Sequence, residues 1–116
     1  MEVTERALTS ALFAALGSEY RLRIIELLGT GERCVCEITP HFPTSFSVVS
    51  HHLSVLEQAG LIESRRDGRR MHYRVTGPAV LKLVTEARRL AQTAKSERHT
   101  SRRGRASSRE CCTIKG

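Results

Sequence analysis

The sequence has few aromatic residues, no tryptophan and no long apolar run, and these absences narrow what the chain can be. Only 4% of its 116 residues are aromatic, so a core must rest on Leu, Ile, Val and Ala. Such side chains suit packed helices better than a sandwich of sheets. Because acids lie near the N-terminus and apolar segments are short, neither a signal peptide nor a membrane span is predicted. We therefore expect one mainly α-helical domain in the cytoplasm.

Cysteine is also scarce, and its spacing does not resemble the framework of a small disulfide-bonded domain. The four cysteines occur as a C-x-C motif, Cys34 and Cys36, and as an adjacent pair, Cys111 and Cys112. In a reducing compartment such residues are thiols, so their candidate roles are metal binding and redox chemistry.

Acidic residues are outnumbered, and the net charge of +7 fits either a nucleic-acid partner or a solvated basic surface. Residues 1–94 carry 12 basic and 10 acidic side chains, whereas residues 95–116 carry 7 basic and 2 acidic ones. The Ser/Arg-rich composition of that last segment predicts disorder unless it is bound. We predict a folded domain at residues 1–94 and a basic tail at residues 95–116.

Apolar residues recur at helical spacing in five segments, which predicts helices at residues 5–16, 20–28, 33–42, 44–56 and 78–94. In the third helix, Pro40 removes an N–H group and should push Thr39 away from helical angles, so this segment is expected to deform easily. The fourth helix is predicted to begin at a Thr44 or Ser45 cap. Its predicted inner residues are Val49, Leu53 and Leu56.

Two strands are predicted at residues 62–66 and 70–75, around the turn dipeptide Asp67-Gly68. The third and fourth helices, joined by a short turn, fit helix-turn-helix geometry. The fold class is therefore mainly α with a β-hairpin: a winged helix-turn-helix of five helices and a two-stranded wing. Apolar stripes on the first and last helices predict a homodimer in which these helices pair across a twofold axis.

Three stretches carry a family resemblance: Cys34-Val-Cys-Glu-Ile, Ser47-Val-Val-Ser-His-His-Leu and Gly68-Arg-Arg-Met-His-Tyr-Arg-Val. With the order of elements, they resemble the ArsR/SmtB family of dimeric winged-helix repressors over roughly residues 8–90. The resemblance implies that the unliganded dimer binds double-stranded operator DNA and that an inducer lowers its affinity. The C-x-C motif is similar to that of arsenic-responsive members, which add a third cysteine where Thr39 stands here.

A helix that enters the major groove must present small or polar groups to the base edges. The outer side of the fourth helix offers such groups, and the arginine-rich hairpin offers phosphate contacts that make binding dependent on salt. Phe46 stands where family members often carry Gln. The predicted DNA-binding residues are Ser45, Ser47, Val48, Ser50, His51, Arg66, Arg69 and Arg70.

Cys34 and Cys36 are predicted to bind As(III) or Sb(III) as the inducer, because soft sulfur ligands suit a thiophilic ion. Helix-start N–H groups and Arg33 are expected to favour the Cys34 thiolate. Residues two apart on a regular helix lie about 200° around its axis. Binding is therefore predicted to unwind the third helix. Because the third helix is expected to pack directly on the fourth, the DNA recognition helix, this unwinding should move the recognition helix. Cys111 and Cys112 complete the predicted ligand set; two thiols alone would suit a monomethylated trivalent arsenical better than arsenite.

Two other DNA-binding functions would differ in what controls their binding to DNA. A redox-sensing repressor of the same fold would respond to cysteine oxidation, and a nucleoid-like binder driven by its basic tail would show no operator preference. Neither Cys34 with His41 nor Ser50 with His51 has an orienting carboxylate or an oxyanion-hole pattern. We therefore predict no enzymatic activity and no catalytic cofactor.

Overall fold

The computed structural model describes residues 4–100, with side chains described for residues 4–94. The chain divides into two compact units, Met1–Lys82 and Leu83–Gly116. The first unit contains both members of the C-x-C motif and all the predicted DNA-binding residues. No helix within residues 4–100 is long and apolar enough to cross a membrane.

Two short helices open the first unit, and the structure confirms their prediction to within one residue. Helix α1 spans Glu5–Leu16 and helix α2 spans Glu19–Leu28. The hydroxyls of Thr4 and Ser18 each accept a hydrogen bond from a backbone N–H three residues later, a cap worth about 1 kcal/mol. The largest fully buried side chains of this unit are Ile24, Ile25, Leu28, Ile38, Val49, Leu53, Leu56, Leu61 and Ile62.

The predicted third helix is three short elements instead of one. Arg33–Cys34 forms strand β1, Val35–Ile38 forms helix α3, and Thr39–His41 forms a 3₁₀ turn. Pro40 ends the α-helical ladder as expected, because it has no N–H to donate. The expectation that Thr39 leaves the helical region is wrong, since its φ is −51° and its ψ is −42°. Pro40 sits at the start of the new turn, where its missing N–H is not needed.

Helix α4 spans Phe46–Gln58 and lies where the recognition helix was predicted. Its cap is Ser45, whose hydroxyl accepts a hydrogen bond from the N–H of Val48 at 3.3 Å. Gly60 ends the helix with a φ of +81°, and the N–H of Leu61 turns back to a helix carbonyl. The structure confirms the inner face, on which three residues are fully buried: Val49, Leu53 and Leu56.

The wing is a three-stranded antiparallel sheet, so the prediction of two strands is incomplete. Strand β2 spans Ile62–Asp67 and strand β3 spans Arg70–Val75, and β1 pairs with the other edge of β3. The sequence could not reveal β1, because a strand of two residues is too short to show alternation. The cysteine segment therefore belongs to the wing sheet.

The hairpin turn lies one residue later than predicted. Asp67 faces Arg70 across the turn, so the two loop residues are Gly68 and Arg69. Gly68 takes a φ of +66° at the first loop position, while Arg69 keeps a negative φ. Glycine is favoured at that position because it adopts a left-handed conformation without strain.

Helix α5 spans Pro78–Thr100, beyond the predicted end at residue 94. Proline at its first position is favourable, because the first N–H of a helix has no partner within the helix. Most of the predicted basic tail, including Cys111 and Cys112, lies outside the described residues.

Candidate DNA-binding surface and cysteine site

The first turn of α4 presents an exposed face that carries no acidic residue. Phe46 is 57% exposed and Val48 is 39% exposed. Among the residues predicted to bind DNA on this helix, Ser50 is half-buried, and the exposed ones are Ser45, Ser47, Val48 and His51. Small, hydroxyl-bearing and imidazole groups without negative charge can approach the base edges of a duplex.

The five arginines of the β2–β3 hairpin form two groups that differ in pairing. Arg65 donates to both carboxylate oxygens of Glu32 at 2.7 and 3.2 Å, and Arg74 donates to Glu63 at 2.6 Å. Within the part of the chain that the structure describes, no carboxylate forms a salt bridge with the other three. These exposed arginines are the ones predicted to bind DNA: Arg66, Arg69 and Arg70. The hairpin arginines without a salt bridge therefore lie at its tip.

The sulfur atoms of Cys34 and Cys36 lie 2.6 Å apart, with the Cys36 thiol donating to Cys34. They meet because Cys34 is outside the helix: its φ of −73° and ψ of 150° are extended, and it caps α3. The prediction that the two thiols diverge on one regular helix, and meet only when it unwinds, is wrong. Cys34 is buried and Cys36 is exposed, so a ligand can approach from the Cys36 side.

Reciprocal hydrogen bonds hold Cys34 at the start of α3. Its sulfur accepts from the N–H of Cys36 at 3.3 Å, while its own N–H donates to the Glu37 carboxylate at 2.8 Å. The hydrogen bond from the Cys36 thiol, followed by that from the Cys36 N–H, lowers the pKa of Cys34. The same thiol hydrogen bond raises the pKa of Cys36, because Cys36 is the donor. The pair therefore favours one thiolate that accepts a hydrogen bond from one thiol.

The cation that acts on this thiol pair is Arg70 and not Arg33. The guanidinium of Arg33 instead donates to the carbonyl of Leu27 at 2.9 Å and to the hydroxyl of Thr30 at 2.7 Å. The positive charge of Arg70 adds to the lowering of the Cys34 pKa. Sequence distance alone could not reveal this, since Arg70 reaches the site only through the pairing of β1 with β3.

The cysteine site is joined to the wing through both of its neighbouring strands. Cys34 faces His72 on β3, and His72 faces Arg65 on β2, which places their side chains on one side of the sheet. The hydrogen bonds from Arg65 lower the pKa of Glu32, which lies two residues before Cys34. Helix α3 packs against β3. The cysteine helix is thus joined to the wing, and its direct packing on the recognition helix stays a prediction.

A second set of contacts joins the end of the cysteine segment to α4. The ring of Tyr20 lies 4.9 Å from that of Phe42 and 5.5 Å from that of His52. Arg21 lies 3.0 Å from Nδ1 of His52 and also donates to the carbonyl of Ala15. Burial, and then the charge of Arg21, lower the pKa of His52. A guanidinium can only donate, so a neutral His52 accepts this bond through Nδ1.

Within the described residues, no three His, Cys, Asp or Glu side chains form a group that could hold a metal ion. The described part of the site thus offers two neighbouring sulfur atoms, those of Cys34 and Cys36, as candidate ligands. The other two predicted ligands, Cys111 and Cys112, stay predictions, because they lie outside the described residues.

Comparisons with known proteins identify a matching family and similar repressors. The sequence profile "Bacterial regulatory protein, arsR family" matches residues 18–64. A probable mercury resistance operon repressor of Streptomyces lividans is 35% identical over 105 residues, which cover 90% of this chain and 75% of the relative. The arsenical resistance operon repressor of Escherichia coli is 39% identical over 85 residues, which cover 70% of this chain and 73% of the relative.

A similar solved structure is the solution structure of a homodimeric winged helix-turn-helix DNA-binding domain from Mycobacterium bovis, described as a possible ArsR-family transcriptional regulator. It superposes with a TM-score of 0.69 at 30% sequence identity and covers 79% of this chain and 90% of that one.

Proposed function

The chain belongs to the arsR family of bacterial regulatory proteins, and we propose that it is a repressor released from operator DNA when As(III) or Sb(III) binds Cys34 and Cys36. Its relatives are transcriptional regulators with a winged helix-turn-helix fold, so the chain is a regulator and not an enzyme. The names of the relatives refer to different elements, mercury and arsenic. The proposed preference for arsenic and antimony therefore rests on this chain's own thiols.

The 2.6 Å separation of the two sulfur atoms is the observation that carries this proposal. A soft, thiophilic ion can bridge neighbouring thiolates, whereas hard cations prefer oxygen ligands. The lowered pKa of Cys34 favours loss of its proton when the first bond forms, and the exposed Cys36 loses its proton as the second bond forms. Trivalent arsenic prefers three ligands in a pyramid. A third sulfur from Cys111 or Cys112 would complete an arsenite site, and a methyl group would replace it in a methylarsenical.

Ligand binding competes with the hydrogen bonds that now hold the site. A metalloid bonded to Cys34 withdraws electron density from the sulfur that accepts from the Cys36 N–H, so the cap of α3 weakens. Because Cys34 pairs with His72, and Glu32 is bonded to Arg65, a shift of this segment acts directly on the wing. We therefore expect the inducer to displace the wing strands rather than unwind a helix.

On DNA, we propose that two copies place their α4 helices in successive major grooves, with half-sites about 34 Å apart. The arginines at the wing tips would contact phosphates. The homodimeric relative supports this arrangement. A hundredfold loss of operator affinity requires a difference of only about 2.7 kcal/mol in inducer binding between the free and the DNA-bound protein, which two sulfur bonds can supply.

The test is operator binding by fluorescence anisotropy at fixed salt, with the promoter of the protein's own gene, titrated with arsenite, methylarsenite, antimonite, mercuric ion, cadmium and zinc. We expect release by trivalent arsenic and antimony. A Cys111→Ser/Cys112→Ser protein is the matched variant: if the tail supplies the third sulfur, it loses its response to arsenite but keeps that to methylarsenite. Release by mercuric ion or cadmium alone contradicts the proposed inducer.

A redox-sensing repressor is the second candidate, because the sulfur of Cys34 already accepts a hydrogen bond from the neighbouring Cys36 thiol. Peroxide would oxidise Cys34 to a sulfenic acid, and Cys36 would displace water to form a disulfide. Release by peroxide and not by any metalloid would favour this candidate over the first.

A further inference from the structure

Phe46 is a large aromatic side chain in an unusual place. It is the first residue of α4, it is 57% exposed, and the described part of the chain has four other exposed large hydrophobic residues: Leu8, Phe13, Val48 and Leu90. Residues four apart on a helix are neighbours, so Phe46 lies beside Ser50, and Ser47 and His51 form the adjacent pair. A helical side chain covers the turn before its own Cα. The ring of Phe46 therefore projects past the N-terminal end of the helix.

The surroundings of Phe46 favour a nucleic acid as its occupant over a protein surface. The first turn of α4 has no acidic residue, and the first carboxylate along the helix, Glu57, is occupied by the hydroxyl of Ser64 at 2.7 Å. Its neighbours on the helix, Ser47, Ser50 and His51, carry hydroxyl and imidazole groups, and the same unit carries the wing-tip arginines that form no salt bridge within the described residues. N-terminal residues of a recognition helix are those that reach base edges.

We propose that Phe46 contacts the C5-methyl group of a thymine in the major groove and thereby selects a T·A base pair at one position of each operator half-site. In the major groove that methyl group is the apolar feature of a base edge, and an aromatic side chain can contact it. The inference deepens the proposed DNA-binding function and rests on it. It makes Phe46 a specificity-determining residue beside the hydrogen-bonding serines.

The test replaces thymine by uracil, which removes the methyl group and leaves every hydrogen-bonding group of the base unchanged. Each thymine in the footprinted half-site of the protein's own promoter is substituted in turn, and the dissociation constant is measured at fixed salt. At one position, the substitution should raise the dissociation constant of the wild-type protein by about fourfold per half-site, the ratio expected for one buried methyl group. A Phe46→Ala protein should bind the thymine and uracil duplexes equally, and Phe46→Leu should keep part of the preference.

Two further measurements separate this inference from its alternatives. Because Phe46 is exposed, Phe46→Ala should keep the thermal midpoint and the oligomeric state of the wild type. A changed oligomeric state would mean that Phe46 contacts a second copy and would overturn the inference. Equal loss on uracil in both proteins, or no loss in either, would also overturn it while leaving operator binding intact. Failure to bind any promoter duplex would instead contradict the proposed function itself.

Discussion

Replacing Arg69 by Gln should reduce the salt dependence of operator binding, because Arg69 is an exposed wing arginine that has no salt bridge to any carboxylate of the described residues. Each phosphate that a protein neutralises contributes about 0.9 to the slope of log K against log salt. A dimer has two wings, so Arg69→Gln should lower the magnitude of that slope by about 1.8. Between 50 and 200 mM salt, this amounts to about twelvefold less loss of affinity than in the wild type.

The matched control is the Glu63→Gln/Arg74→Gln protein, which removes an arginine together with the carboxylate that it pairs with. This double substitution leaves the net charge of the wing unchanged and should leave the slope close to that of the wild type. Anisotropy titrations at four salt concentrations give both slopes. The reasoning is refuted if the control lowers the slope as much as Arg69→Gln does, or if Arg69→Gln leaves it unchanged.

Three further predictions concern stability, measured by urea unfolding. Glu37→Ala removes the carboxylate that accepts from the Cys34 N–H and should cost about 1 kcal/mol, whereas Cys34→Ser keeps a capping oxygen and should cost less than Cys34→Ala. Gly68→Ala places a side chain at a φ of +66° and should cost about 1 kcal/mol, although nothing lies within 4 Å of the added Cβ. Burial and the charge of Arg21 lower the pKa of His52 in the folded protein. As the pH falls, the unfolded chain therefore binds a proton at His52 before the folded chain does. The free energy of unfolding should therefore fall as the pH drops below about 6.5, and a His52→Gln protein should lack that part of the decline.

Helices α1, α2 and α4 could be predicted from the sequence because each has a capping residue and an apolar stripe with a period near 3.6. Ser45 and the buried face of α4 are examples: a hydroxyl before an amphipathic segment predicts both the start and the inner side. Strand β1 could not be predicted, because two residues show no period and their partner is far along the chain. The shifted hairpin turn has a similar origin, since cross-strand pairing decides which two residues form the loop.

The family motif predicted that Cys34 and Cys36 share one site, whereas their spacing on a regular helix predicted that the thiols diverge. They meet because Cys34 is extended. The partners of the site come from distant parts of the chain, and no local pattern predicts them. Arg70 and His72 reach the cysteine segment through β3, and Arg65 reaches Glu32 through β2. The choice of wing arginines likewise depends on which of them meet a carboxylate, which spacing along the sequence does not reveal.

The pairing of the cysteine segment with the wing changes how induction is expected to work. In the structure, Arg65 holds Glu32 with two hydrogen bonds, and this exposed ion pair connects β2 to the residues before Cys34. If the wing transmits the effect of the inducer, a Glu32→Gln/Arg65→Gln protein should still bind the inducer but should lose part of its effect on operator affinity.

The most direct test of the cysteine site as the sensor compares operator affinity with and without saturating arsenite or methylarsenite, in the wild type and in the Cys34→Ser/Cys36→Ser protein. Serine keeps the cap of α3, so both proteins should bind the operator equally without ligand. We predict that at least one of the two ligands weakens wild-type binding by tenfold or more, and that neither changes binding by the double-serine protein. Equal release of both proteins would contradict the assignment of Cys34 and Cys36 as the site of induction.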